Sequence, residues 1–266
     1  MSRLAGKIAL VLGAGGEGNM GQAIARRYAA EGATVIVAGR AMPPLAALAG
    51  EIGGLALPGD ITSRASLDAL AHTALDRFGR IDVAVDCVGL NLSVPFLETS
   101  EDALRRLWDV QFKGPFQFLQ VMVGAMLATG GAIVQISSAA GTVLMDDYAA
   151  YRGTKAGIDQ VVRSVADEFG AHGIRVNSLS PGAVRTPMTE AVCRTPALAL
   201  FERSGPLGRI ATVEEIAAAA LWLADDECFM TGENLHVSGG LLLRRNPSKR
   251  EVMDAMEERP REGSPG

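Results

Sequence analysis

Tyr151 and Lys155 stand four residues apart in Tyr151-Arg152-Gly153-Thr154-Lys155, and Ser138 lies thirteen positions before Tyr151, just past the apolar run Ala132-Ile133-Val134-Gln135-Ile136. A four-residue step on a helix sets both side chains on one face, roughly 6 Å apart along the axis. A tyrosine ordinarily titrates near pKa ~10 and exchanges protons poorly at neutral pH, but a neighbouring ammonium favours the phenolate and draws that value down. An acid tuned in this way suits general acid–base work. A serine at the end of a strand can hold a substrate oxygen beside it, so that Tyr151 gives or takes a proton while a hydride moves elsewhere: alcohol–carbonyl chemistry. A Tyr-x-x-x-Lys pair alone more often marks an amphipathic ring and a snorkelling lysine on a helix surface. The offset of Ser138 and a glycine-rich turn at the other end of the chain favour the chemical reading.

That turn is Gly13-Ala14-Gly15-Gly16-Glu17-Gly18-Asn19-Met20-Gly21, leading into Gln22-Ala23-Ile24-Ala25-Arg26-Arg27-Tyr28. Glycines let backbone approach a pyrophosphate closely, and the following helix offers free N–H groups and a positive dipole end to the anion. Gly13-x-Gly15-x-x-Gly18 satisfies the dinucleotide fingerprint, and Gly15-x-x-Gly18-x-x-Gly21 is a second register. The second strand ends Val37-Ala38-Gly39-Arg40, with no acid to bind a ribose 2′-hydroxyl and an arginine whose planar guanidinium suits a 2′-phosphate. NADP is therefore the expected cofactor, with NAD as the alternative that Glu17 would favour.

Short β-branched runs alternate with helical patterns. Strands are expected at Ile8 to Leu12, Thr34 to Ala38, Ala56-Leu57, Val83 to Val85, Ile133 to Ile136, Arg175 to Leu179 and Leu235 to Val237, with helices near 22–31, 63–78, 101–127, 151–171 and 213–224. This alternation predicts an α/β, doubly wound Rossmann-type fold: a seven-stranded, mostly parallel sheet with helices on both faces, in a single domain. The domain is expected to span 1–243. Residues 244–266 read as a charged, partly disordered tail, with a capping box at Ser248 and Glu251 and a short helix over about 249–258 carrying Val252, Met253 and Met256 on one side.

A length of 266 residues and a hydrophobic content of 48% suit one large core. The net charge of −5 argues against nucleic acid or an anionic membrane as partner. Cys87, Cys193 and Cys228 lack disulfide or zinc spacing, which fits a reducing cytoplasm, and His72, His172 and His236 are scattered, so no metal is expected. No run is long enough to span a bilayer, no secretory leader is expected before the first strand, and no G-x-S-x-G elbow points to acyl transfer.

The glycine loop, Gly59-Asp60-Ile61, Cys87-Val88-Gly89, Ile136-Ser137-Ser138, Tyr151-x-x-x-Lys155, Asn177 to Gly182 with Thr186, and Pro206-Leu207-Gly208-Arg209 through Val237-Ser238-Gly239-Gly240 together resemble the short-chain dehydrogenase/reductase family, from about Leu4 to Leu243. The resemblance implies Tyr151 as acid/base, Ser138 as the group orienting the carbonyl, and Lys155 as both tuner of Tyr151 and ligand of the nicotinamide ribose. It implies cofactor contacts from Gly13, Gly15, Gly18, Asn19, Met20 and Gly21, from Asp60 and Ile61 at adenine, from Val88 and Gly89 at ribose, and from Pro181, Gly182, Val184 and Thr186 at the carboxamide. Family members are commonly oligomeric, so a homotetramer or dimer acting on a small alcohol or carbonyl is expected. Gln111 stands where the family has an asparagine supporting a proton-relay water; its longer amide shifts the same donor and acceptor by one methylene. Leu12 replaces a threonine, the loop is two residues longer, Asp86-Cys87 replaces Asn-Asn, and Ser238 replaces aspartate. Gln111 and the altered loop motivate one rival, a nucleotide-binding scaffold with weakened catalysis; a reductase of an activated C=C bond, which shares the fold, is the other.

Overall fold

The computed structural model describes residues 2–257. Seven strands form one sheet: β1 (Ile8–Leu12), β2 (Thr34–Gly39), β3 (Leu55–Pro58), β4 (Val83–Asp86), β5 (Gly131–Ile136), β6 (Ile174–Pro181) and β7 (Asn234–Val237). Their order is β3-β2-β1-β4-β5-β6-β7, and every neighbouring pair runs parallel. All seven expected strands are present, with ends moved by at most two residues. The sheet is wholly parallel where the sequence predicts mostly parallel. The chain reverses its winding between β1 and β4, so the C-terminal ends of these two strands open a crevice suited to a ligand.

The helices are α1 (Met20–Ala30), α2 (Met42–Ile52), α3 (Arg64–Phe78), α4 (Glu101–Trp108), α5 (Gly114–Met126), α6 (Ala149–Phe169), α7 (Glu190–Cys193), α8 (Leu198–Ser204), α9 (Val213–Ala224) and α10 (Lys249–Glu257). Two differences from expectation have clear causes. Helix α2 escapes the sequence pattern because Met42-Pro43-Pro44 and Gly50 read as breakers, yet prolines in a first turn lose no intrahelical bond. The single helix expected over 101–127 is interrupted by a π-helical turn, Asp109–Lys113. Gly114 closes that turn where a Cβ would lie 2.7 Å from the Ile61 carbonyl and 2.8 Å from that of Asp109.

Alternation along the strands sends one set of side chains to each face. Val11, Val37, Val85, Val134 and Leu179 pack against α1, α2 and α9. Leu10, Ile36, Ala84, Ile133 and Val176 pack against α3, α5 and α6. Tyr28 ties the first layer together, its hydroxyl donating to the Ala220 carbonyl at 2.9 Å. Caps from Asn19, Ser63, Ser100 and Thr212 start α1, α3, α4 and α9.

Beyond residue 243 the chain folds back on the domain. Asn246 donates to the Leu144 carbonyl at 3.2 Å, the Lys249 amide donates to Asp146 at 2.7 Å, and Arg244 reaches the Arg203 carbonyl at 2.9 Å. Ser248 and Glu251 form the expected reciprocal cap of α10, whose Met253 and Met256 stay exposed. The tip expected to be disordered lies outside the described residues.

Candidate active site

The crevice at the ends of β1 and β4 is a cleft of about 850 Å³. Its floor is the glycine turn. Gly13 (φ +97°) and Gly18 (φ +68°) take left-handed backbone, and a Cβ on Gly13 would meet the backbone of Cys87 and Val88 at 2.8–2.9 Å. A Cβ on Gly21 would lie 2.8 Å from the Gly13 carbonyl, so α1 presses directly on the turn. Gly15 has ordinary room around it. The demanding glycines are thus 13, 18 and 21, a combination that neither sequence register describes. Asn19 holds the loop, accepting from the Gln22 amide at 2.9 Å and donating to the Gly13 carbonyl at 2.8 Å. No acid occupies the first turn of α1, leaving its positive end free for an anion.

Of the expected cofactor residues, Gly13, Gly15, Asn19, Met20, Gly21, Arg40, Asp60, Ile61, Val88, Gly89, Tyr151, Lys155 and Thr186 line this cleft. Gly18 lies in the loop behind it. Pro181 ends β6, and Gly182 packs so closely on Ser238 that a Cβ would lie 3.0 Å from its Cα. Val184 is buried in the core, so only its backbone is available to a ligand. Sequence reasoning missed Arg106, Val110 and Thr62, which also line the cleft. A charge one turn before Val110 on α4 was the one available signal for Arg106. Asp60 accepts from the Thr62 amide at 2.9 Å and its hydroxyl at 2.7 Å; these bonds, with Arg40 nearby, hold its carboxyl below the usual range.

Tyr151 and Lys155 sit on the first turns of α6 and open onto the cleft beside Ser137. Lys155 is buried, and its Nζ donates to the Ile136 carbonyl at 3.0 Å, pinning the helix to the end of β5. Ser138 begins a 3₁₀ turn, its Oγ accepting from the Ala140 amide at 3.2 Å. Tyr148 stacks edge-on against Tyr151 with ring centroids 5.5 Å apart, and its hydroxyl donates to Asn91 at 2.9 Å. Gln111 is buried in the π-helical turn; its Oε1 accepts from the Leu90 amide and its Nε2 donates to Thr154 Oγ1, both at 3.3 Å. The longer amide thus braces the loop after β4 against α6. Behind the cleft, Asp86 accepts from the Val88 amide and from Gln135 Nε2, each at 2.9 Å, and burial pushes its carboxyl up to about 6. Burial, with Asp86 adjoining, raises the Cys87 thiol too.

The cleft combines an anion-binding turn, a cationic amine held by backbone and a phenol; Ser138, expected to hold the substrate oxygen, is not among the residues that line it and stands next to Ser137, which is. No group of histidine, cysteine or carboxylate side chains among the described residues is arranged to hold a metal. No described helix is long and apolar enough to cross a membrane.

Comparison with known proteins agrees. The profile of the family described as enoyl-(acyl carrier protein) reductase matches residues 13–242. The chain is 37% identical to trans-4-hydroxycyclohexanecarboxylate dehydrogenase of Sinomonas cyclohexanicum, over 90% of this chain and 93% of that protein. It is 35% identical to D-threitol dehydrogenase of Mycolicibacterium smegmatis, over 91% and 95%. A solved short-chain type dehydrogenase/reductase from Mycobacterium ulcerans superposes with a TM-score of 0.88 at 30% identity, over 94% of this chain and 98% of that one. With this fold and these relatives, the chain belongs to the short-chain dehydrogenase/reductase family of nicotinamide-dependent oxidoreductases acting on alcohol and carbonyl groups.

Proposed function

We propose that the protein interconverts a secondary alcohol and a ketone or aldehyde, with Tyr151 exchanging the proton at the substrate oxygen, Ser138 holding that oxygen, and Lys155 placing positive charge beside the phenol. The supporting observation is that Tyr151 and Lys155 open onto the same cleft as the glycine turn. When bound, the nicotinamide nucleotide supplies or accepts the hydride. Gly13 and Gly21 clear room for its pyrophosphate, Asp60, Ile61, Val88 and Gly89 border its adenosine, and Lys155, Thr186 and the backbone at Pro181, Gly182 and Val184 flank the nicotinamide end. Arg40, exposed at the cleft edge where β2 ends without an acid, favours a 2′-phosphate and hence NADP over NAD.

Two relatives are named for oxidising hydroxyl groups, on a ring carboxylate and on a polyol, so a secondary alcohol of that size is the substrate class proposed. The rival activity on a C=C bond shares the fold but would not usually keep this Ser138 and Tyr151 arrangement, and the scaffold reading leaves the Ser138–Tyr151–Lys155 set without a task. Exposed Leu104, Trp108 and Phe116 on α4 and α5 support a homodimer or tetramer, and the isolated free cysteines support a cytoplasmic setting.

The test is nicotinamide absorbance with trans-4-hydroxycyclohexanecarboxylate, D-threitol and a panel of secondary alcohols, against NADP⁺ and NAD⁺ in parallel. Tyr151→Phe, measured on the best substrate, should lose about 10²–10⁴-fold in kcat while its NADPH affinity stays within a few-fold. Full turnover in that variant would end the assignment.

A further inference from the structure

Arg152 directly follows Tyr151 on the first turn of α6. Its Nε donates to the Ala140 carbonyl at 2.8 Å, twelve residues back along the chain. That carbonyl belongs to the same peptide group as the Gly141 amide, which donates to the Ser138 carbonyl at 2.9 Å. The Ala140 amide in turn donates to Ser138 Oγ at 3.2 Å. Ser138 is thus held at backbone and side chain by the 3₁₀ turn Ala139–Gly141, and the turn is held by Arg152. A guanidinium on the carbonyl end of a peptide polarises it and strengthens the bond its N–H makes at the other end.

Lys155 lies three residues beyond Arg152, on the same side of α6. It grips the Ile136 carbonyl at 3.0 Å. Ser138 therefore sits midway between two backbone carbonyls, at 136 and 140, each bound by a cation from the helix that carries Tyr151. The turn also rests directly on that helix: a Cβ on Gly141 would lie 3.5 Å from the Ala156 amide nitrogen and 3.7 Å from Lys155 Cβ. By contrast, the covalent link from Gly141 to Tyr148 is irregular. Leu144 is exposed there and Asp147 takes a φ of +61°. Such a segment fixes no distance between its ends, so the two side-chain ties must do so.

The hydroxyl of Ser138 offers one proton and two lone pairs. The Ala140 amide occupies a lone pair, which restricts the rotation of the hydroxyl and leaves its proton for another oxygen. Ser138 stands next to Ser137, which lines the cleft. A small shift of the turn decides whether that proton reaches an oxygen held beside Tyr151.

We propose that Arg152 is a positioning residue for the reaction: by clamping the Ala140 carbonyl to α6 it sets the distance and direction from the Ser138 hydroxyl to the Tyr151 phenol. This deepens the function proposed above and rests on Ser138 holding the substrate oxygen. Arg152 touches neither substrate nor nucleotide in this role and acts through Ser138. Its planar fork fixes a direction that a flexible lysine stem defines less well.

A double-mutant cycle on the full-length protein, with the best alcohol from the panel, tests it. Arg152→Met removes the donor and should lower kcat roughly tenfold, less than the ~10² that a misplacement of about 1 Å can cost. The KM for alcohol and the Kd for NADPH should hold. Arg152→Lys, which keeps a donor, should recover part of the lost kcat. In a Ser138→Ala background Arg152→Met should change kcat by less than about twofold, because nothing is left for Arg152 to position. The same tenfold loss in both backgrounds, or a parallel loss of NADPH affinity, overturns the proposal, as does wild-type kcat in Arg152→Met. If Arg152→Met fails to fold, Arg152→Gln takes its place in the cycle under the same criteria. An impaired Ser138→Ala beside an unaffected Arg152 variant sinks this inference alone; a fully active Ser138→Ala removes the role proposed for Ser138 and this one with it.

Discussion

Asp86→Asn should stabilise the protein, and more so as pH rises. Asp86 is fully buried, and burial raises its carboxyl from 3.8 in the unfolded chain to about 6 in the folded one. Between those values the folded form holds a proton that the unfolded form has lost, so stability falls as pH climbs and the loss levels off about one pH unit above the folded value. At about 1.36 kcal/mol per pKa unit, the charged carboxylate costs roughly 3 kcal/mol above about pH 7 and roughly 1 kcal/mol at about pH 4.5. That cost is net of the attraction to Lys155, which already lowers the shift. Asparagine avoids the charge and keeps the bonds. Its oxygen accepts from the Val88 amide, and a flipped Gln135 amide turns the unpartnered Oε1 towards the new Nδ2. Urea unfolding of wild type and variant, at one fixed protomer concentration so that assembly does not confound the comparison, should show the variant's advantage growing by about 2 kcal/mol between pH 4.5 and 8. An advantage that is independent of pH, or a variant less stable at pH 8, would refute the reasoning and show that the carboxylate is fully compensated by its neighbours.

Arg40→Ala should weaken NADPH binding about 10–100-fold, the range of a lost charge-assisted hydrogen bond, while NADH affinity, read by the same fluorescence titration, stays level; equal losses would place Arg40 away from the 2′-phosphate. Gly21→Ala drives a methyl to within 2.8 Å of the Gly13 carbonyl, and overpacking of about 1–3 kcal/mol should appear as a 5- to 100-fold rise in the Kd of either nucleotide; unchanged affinity would show that the turn yields freely. Thr212→Ala removes the capping box of α9 and should cost about 1 kcal/mol in urea unfolding, with Kd for NADPH unchanged because α9 lies outside the cleft.

The chain by itself determined the fold class, because β-branched runs at βαβ spacing allow little else, and it determined the chemistry-bearing residues, because Tyr151 and Lys155 on one helix turn are neighbours whatever surrounds them. It also supplied the glycine turn. Which glycines matter was decided only in three dimensions: Gly13 and Gly21 are needed because a strand end and a helix meet across the loop, a contact between segments that periodicity cannot express. The same holds for α2, whose two prolines read as breakers until their place in a first turn is seen, and for the π-helical turn that buries Gln111 against Leu90 and Thr154. Arg106 enters the cleft only in the folded chain, where α4 packs against α6. The row of polar side chains that pairing sets across β4, β5, β6 and β7 is the furthest from the sequence. Asp86, Gln135, Ser178 and Asn234 lie scattered over some 150 residues, and it is strand register, a property of pairing rather than of any one segment, that sets them in a row.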